Sequence, residues 1–241
     1  MLQVQQTFIL LLMHSEQHLR SSDTIRDIVI GMSDGLTVPF ALAAGLSGAI
    51  NSSSIVITAG IAEIVAGSIA MGLGGFLAGK TEADHYASEL QREYDEVKRV
   101  PNQEKEEVKE VFAGFGLSPQ LQNQVADEMA KDTDKWVDFM MRYELGLEKP
   151  EANRASQSAI TIGLSYIVGG IIPLAPYFFI HESGIALYYS CAVTICCLFI
   201  FGYFKSKVTG QPPFSGALKV VVIGALAAAA AFSVAKLING R

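Results

Sequence analysis

The sequence predicts an all-α membrane protein: five transmembrane helices with a cytoplasmic helical-bundle insert between helices 2 and 3. Two observations predict it. Half of the 241 residues are hydrophobic, and the charges are gathered in one place. Residues 82–154 hold 18 of the 24 acidic side chains and ten of the 18 basic ones, whereas 35–62, 64–79, 155–181 and 183–204 carry no formal charge. A bilayer core about 30 Å thick needs roughly 20 mostly apolar helical residues, and each uncharged run is near or above that length.

The expected spans are 28–50, 54–79, 158–180, 184–204 and 214–235. "NSSS" at 51–54 is a tight polar turn that joins the first two as a hairpin, and "HES" at 181–183 does the same for the third and fourth. In "KSKVTGQPPF" Pro212 and Pro213 bar a continuous helix between the last two. The amino-terminal "TFILLLM" is too short to span, has no basic residue before it and no small-residue cleavage site after it, so no secretory signal is expected. Five spans put the termini on opposite sides. Arg20, Arg26, Lys80, Lys149, Arg154, Lys205 and Lys207 all fall on one face and only Lys236 and Arg241 on the other. Positive charge stays with the cytoplasm, so the amino terminus and the insert are expected there. The division is 1–27, an N-terminal cytoplasmic segment; 28–79, transmembrane helices 1–2; 80–156, the cytoplasmic helical domain; and 157–241, transmembrane helices 3–5.

Within the insert, "EADHYASELQREYDEVKRV" continues the second span outward and stops at Pro101. The next helix, "NQEKEEVKEVFAGFG", has Asn102 as candidate cap and ends at Gly114 and Gly116. Ser118 and Pro119 mark a third start, with proline at the first helical position. A fourth, "DKWVDFMMRYELG", carries an apolar stripe of Trp136, Phe139, Met140 and Tyr143 and stops at Gly146. The acidic balance, with pI near 5.2, argues against a nucleic-acid partner. Cys191, Cys196 and Cys197 share one apolar run, and their spacing fits neither a CxxC pair nor a disulfide framework.

Ionisable residues inside membrane spans are costly and tend to mark ion pathways. Asp34 in "GMSDGLTVPFALAAGLSGA" and Glu63 in the second span are the two deep ones. Pro39, lacking an N–H, leaves the Gly35 carbonyl without its helical donor beside Asp34. Carboxylate and carbonyl are hard oxygen ligands, and interrupted helices of this kind build cation sites. Met71, two turns beyond Glu63, adds a soft thioether that favours transition metals. Gly67, Gly72, Gly74, Gly75 and Gly79 let another helix approach. The plainer readings are a water-reaching carboxyl for Asp34, a neutral hydrogen-bonded one for Glu63, and packing for Met71. In the insert, Glu93 with Glu96 and Glu104 with Glu107 are i, i+3 pairs, and Met140 with Glu144 is an i, i+4 pair. Carboxylates from neighbouring helices can hold divalent iron, although acid-rich helices are ordinarily just solvated. His14 and His18 are also i, i+4, and His85 and His181 stand alone.

"RDIVIGMSDGLTVPFALAAGLSGA", "TAGIAEIVAGSIAMGLGGFLAGKTEADHY", "DFMMRYELGLEKP" and "FIFGYFK" resemble segments of the plant vacuolar iron transporter family, in the form that has the long cytoplasmic metal-binding domain. The likeness covers residues 20–240, leaving out the opening "MLQVQQTFILLL". It implies a multi-pass protein of the vacuole membrane, a homodimer with the path at the subunit interface, and proton-coupled export of Fe²⁺ from cytosol into the vacuole. It does not fix the preference for Fe²⁺ over Mn²⁺. The implied metal residues are Asp34, Glu63 and Met71 along the path and Glu93, Glu96, Glu104, Glu107, Met140 and Glu144 in the insert, with no resident cofactor and no enzymatic activity. The rivals are a membrane-anchored carboxylate di-iron oxidase, which lacks the usual Glu-x-x-His pair, and a metal-sensing scaffold, which leaves Asp34 and Glu63 unexplained.

Overall fold

The structure is a computed structural model that describes residues 22–238. His14, His18, Arg20 and Arg241 lie outside the described residues, as does most of the 1–27 segment. The described residues are helical: α1 Ser22–Ala49, α2 Ser53–Arg99, α3 Pro101–Gly114, α4 Pro119–Met129, α5 Thr133–Phe139, α6 Arg154–Phe179, α7 Ser183–Val208 and α8 Pro213–Ile238. A π-helical turn, Met140–Glu144, prolongs α5. Five of these, α1, α2, α6, α7 and α8, are long and apolar enough to cross a membrane. A helix of sufficient length stands at each of the five expected spans, with ends one to six residues from those anticipated apart from the far end of α2. That helix runs 47 residues without a break, as the reading of an outward continuation required.

The chain divides into two compact units, one comprising residues up to Gly72 together with those from Ser158 on, the other Leu73–Gln157. In the first, α1 packs on α7 and α8, and glycine decides how α6 meets α1 and α2. A Cβ on Gly31 would stand 2.3 Å from the Ile162 carbonyl oxygen, and one on Gly35 2.4 Å from that of Tyr166. On the α6 side, a Cβ on Gly169 would meet the Leu36 nitrogen at 2.9 Å. Backbones this close require hydrogen in place of a side chain. The glycines expected on α2 for the same reason divide: Gly67 and Gly72 face Tyr166 and Ala159, whereas Gly74 faces open space.

The two polar turns lie together. The Ser53 amide donates to the His181 carbonyl at 3.3 Å, and the Ser183 hydroxyl donates to the Ile50 carbonyl at 2.6 Å. Buried Phe40, Ala43, Val56, Ile64, Leu174 and Tyr177 fill the interior, while Val65, Ile69, Leu164 and Ile223 are more than half exposed. So much outward apolar surface suits hydrocarbon rather than water. The cysteines are free and sit along α7.

The second unit is a small bundle of helices, and three local details differ from expectation. Pro101, not Asn102, opens α3, and the cap position is Val100, which makes no side-chain cap bond. Ser118 precedes Pro119 as anticipated but its hydroxyl makes no cap bond, whereas Asp132 accepts from the Lys135 amide at 3.3 Å. The last helix does not stay α-helical to Gly146. It widens after Phe139, the Leu145 amide donating to the Met140 carbonyl at 3.1 Å. That i to i+5 step turns Tyr143 outward, 58% exposed, while Val137 and Met141 join Trp136 and Met140 in the core.

Gly35→Ala is expected to lower the stability of the detergent-solubilised protein by about 2 kcal/mol or more, since its Cβ would collide with backbone that cannot rotate away. Gly74→Ala, facing open space, should leave the melting temperature unchanged. Thermal melting of both variants checks the contrast.

Candidate metal centre

The carboxylates of the 73–157 unit are gathered by a single sharp joint. Pro101 offers no amide hydrogen and drives the residue before it out of the helical region, so Val100 takes φ −133° and ψ 48°. The helix resumes at once as α3, which brings its acids to those of α2. Glu93 and Glu104 each precede a core valine, Val97 and Val108, by four residues, so helical periodicity sets both on the buried side. Each is 2% exposed. Oxygens of Glu93, Glu96 and Glu104 lie within 4.8 Å of one another, and Glu107 is near enough for its charge to act on Glu104.

Little positive charge offsets them. Arg92 is 3.5 Å from Glu96 and 2.8 Å from Glu89, and Arg99 is 3.9 Å from Glu96. Oε2 of both Glu93 and Glu104 is buried without a hydrogen-bond partner. Burial, followed by the charges of Glu107, Glu93 and Glu96, pushes the Glu104 carboxyl up to about 8. Burial and Glu96 raise Glu93, with Arg92 opposing. Partial burial of its carboxyl, then Glu107, Glu93 and Glu96, lift Glu144 to about 7, although the residue as a whole is exposed. The five glutamates singled out in the sequence thus sense one another. Glu89, whose charge also reaches Glu93, belongs with them; its place one turn before Glu93 is the signal that points to it. Met140 is fully buried in the core with Val97, Val108 and Trp136.

The membrane unit presents its acids singly. Glu63 is half-buried; its Oε1 accepts a hydrogen bond from the Tyr166 hydroxyl, and its Oε2 is buried with no partner. Asp34 and Met71 are half-buried. Asp34 is near enough for its charge to act on the same Tyr166 hydroxyl. At 1.5 Å per residue, Glu63 stands about 15 Å and Met71 about 27 Å from the start of α2, with Asp34 about 22 Å from the end of α1. Among the described residues, the trio of acids in mutual ligand reach is the one in the 73–157 unit; the charges of Asp34 and Glu63 both act on the Tyr166 hydroxyl. Tyr166 is the residue that spacing alone does not reveal. Its sequence signal is a lone hydroxyl-bearing aromatic between Gly163 and the Gly169–Gly170 pair.

What the acid cluster can do follows from its protonation. Raised carboxyls stabilise the fold while protonated, below about pH 4.5, and that stability is lost as pH rises through 7 to 8. A divalent cation needs the anions and reverses the penalty. The metal-free protein in detergent should therefore melt about 5 °C or more lower at pH 8 than at pH 5, and Mn²⁺ should restore it at pH 8 but not at pH 5. Glu104→Gln keeps the shape and removes the buried charge. It should raise the metal-free melting temperature at pH 8 and weaken Mn²⁺ binding about tenfold, read by calorimetry.

The chain is matched by the sequence pattern of the VIT family over residues 25–236. Vacuolar iron transporter 1 of Tulipa gesneriana is 53% identical over 226 residues, 94% of this chain and 92% of that protein. Vacuolar iron transporter 1 of Arabidopsis thaliana is 53% identical over 226 residues, 94% of this chain and 90% of that protein. Protein CCC1 of Saccharomyces cerevisiae is 41% identical over 225 residues, 89% of this chain and 69% of that protein. A match along nearly the whole described chain, taking in both carboxylate sets, places it: the protein belongs to the VIT family.

Proposed function

We propose that the chain carries Fe²⁺ from the cytosol into the vacuole in exchange for protons, as a homodimer, with Mn²⁺ as a second cargo. The observation that carries this reading is a buried carboxylate oxygen without a partner in each unit: Oε2 of Glu63 in the membrane hairpin, and Oε2 of Glu93 and Glu104 in the bundle. Such an oxygen is costly unless a proton or a cation meets it. The names of the tulip and Arabidopsis relatives supply the cargo, iron, and the compartment, the vacuole, and describe transporters rather than enzymes.

In this reading 28–79 and 157–241 form the membrane part, and 1–27 and 80–156 lie in the cytosol with the basic flanks. Glu93, Glu96, Glu104, Glu107 and Glu144 gather the ion from the cytosol, and Met140 lends softness to the site. The ion then moves past Met71, Asp34 and Glu63 in descending order along the hairpin. It leaves by the paired polar turns, where Asn51, Ser52, Ser53, Thr58 and His181 line a cavity of about 380 Å³. Protons arriving from an acidic lumen compete for the same carboxylates and release the metal. Each pH unit contributes about 1.4 kcal/mol per proton. Moving a divalent ion against 100 mV costs roughly 4.6 kcal/mol, at about 2.3 per charge. Two protons per metal cancel that electrical term.

Proteoliposomes loaded with a metal-quenched dye test the reading. Fe²⁺ uptake under anaerobic conditions should rise several-fold when the interior is more acidic by one pH unit, and Glu63→Ala should abolish it. Uptake indifferent to the gradient removes proton exchange from the account. Oxygen consumption driven by Fe²⁺ without uptake would favour the oxidase instead.

A further inference from the structure

Glu63 is held by a neighbour whose fit is unusually strict. Tyr166 is 2% exposed. Its ring end lies on α2 where a Cβ on Gly67 would stand 2.5 Å from the hydroxyl oxygen and 2.6 Å from the ring carbon bearing it. Its backbone lies on α1, where a Cβ on Gly35 would be 2.4 Å from the Tyr166 carbonyl oxygen. Two glycines on two helices thus make a slot with room for this side chain in one position, and in that position the hydroxyl donates to Oε1 of Glu63. A phenol in hydrocarbon would satisfy itself with any acceptor. Here it takes one oxygen of the acid and leaves the other, Oε2, buried and without a partner.

The consequence is one of denticity. A carboxylate with both oxygens free can chelate a cation through both, which suits Ca²⁺ with its six to eight oxygen ligands at 2.3–2.6 Å. A carboxylate oxygen that already accepts a hydrogen bond keeps a second lone pair but is a weaker and more hindered donor. Such a carboxylate favours binding through its other oxygen, which serves a smaller transition-metal ion with fewer ligands and leaves a calcium shell short. We propose that Tyr166 is a positioning and specificity-determining residue: by engaging Oε1, it biases Glu63 toward binding through one oxygen, which disfavours Ca²⁺ relative to Fe²⁺. The inference rests on the reading of Glu63 as a residue of the cation path. It differs from a packing role for Tyr166, because a packing role depends on the ring and this one depends on the hydroxyl.

The test uses the full chain in proteoliposomes, with Fe²⁺ uptake measured anaerobically at fixed pH and with increasing Ca²⁺. Tyr166→Phe keeps the ring in its slot and removes only the donor. The ratio of the Ca²⁺ inhibition constant to the KM for Fe²⁺ is expected to fall about tenfold, the range seen when a partner hydrogen-bonded to a metal ligand is removed. Gly67→Ala keeps the hydroxyl but displaces it from the acid, and it should move the same ratio in the same direction. If either variant folds and its ratio matches that of the unaltered protein, the inference is overturned, even where the maximal rate has dropped. A Glu63→Gln arm separates the two levels of argument. Normal uptake in Glu63→Gln would remove Glu63 from the path and the proposed function's central acid with it. Uptake lost in Glu63→Gln but selectivity unchanged in Tyr166→Phe would remove only the role given to Tyr166.

Discussion

A carboxylate withdrawn from water must be neutralised, and the structure is organised around carboxylates that nothing among the described residues fully neutralises. An ionised group placed in a low-dielectric interior shifts its protonation or finds a counter-charge. In the bundle, Glu93 and Glu104 are buried beside four further acids, with Arg92 and Arg99 reaching Glu96 but leaving two oxygens bare. In the membrane unit Glu63 has a phenol on one oxygen and nothing on the other. Ordinary packing removes such groups from a fold, because a hydrophobic residue of the same size is cheaper. Their joint presence makes sense for a site completed by a mobile cation.

The rest of the fold serves to hold those oxygens in place. In the membrane unit there is no hydrophobic force between helices to draw on, because lipid is as apolar as leucine; close contact comes from small residues. Gly31 and Gly35 on α1, Gly67 on α2 and Gly169 on α6 supply it, and the result is the narrow slot that fixes Tyr166. In the bundle the same service is done by water-driven burial. Val97, Val108, Trp136 and Met140 form the core, and the two valines, one turn from Glu93 and Glu104, pull both acids below the surface. The π turn after Phe139 has a related effect: it takes Met141 inward and sends Tyr143 outward without ending the helix.

How much of this was legible before the structure depends on what kind of signal each residue carries. Asp34 and Glu63 stand out because they border the uncharged runs 35–62 and 64–79, so scarcity alone marks them. The helices are legible for the same reason, and Pro101 and Pro119 mark where the bundle turns. Glu93 and Glu104 are visible as members of i, i+3 pairs, a pattern common on solvated helices. What distinguishes them is that the valine four residues on, Val97 or Val108, lies in the core, whereas Val111, four residues beyond Glu107, is only half-buried. Asn102 misleads because a capping residue type next to a proline looks like a start, whereas the proline itself is the start. Tyr143 misleads because its place in the stripe assumes a helix that keeps 3.6 residues per turn. Tyr166 carries only a faint signal in the sequence: an aromatic among glycines in an apolar helix is what packing alone would put there, and the glycines that hold it lie about 100 and 130 residues away in the chain.

The raised acids of the bundle also bear on why a carrier would begin with so many of them. A glutamate left at its ordinary value near 4.5 is fully charged throughout the neutral range, and a cluster of such anions would hold a divalent ion tightly and without regard to pH. Glu104 near 8 and Glu144 near 7 are instead partly protonated at neutral pH, so a metal must displace protons to enter. That competition weakens the site, and because each displaced proton can return, it also makes the bound state reversible. Such a site can take up a divalent ion and still let it go. Crowding carboxylates until they resist ionisation is a direct physical route to that balance, whereas a site of lone, fully charged acids would bind and keep.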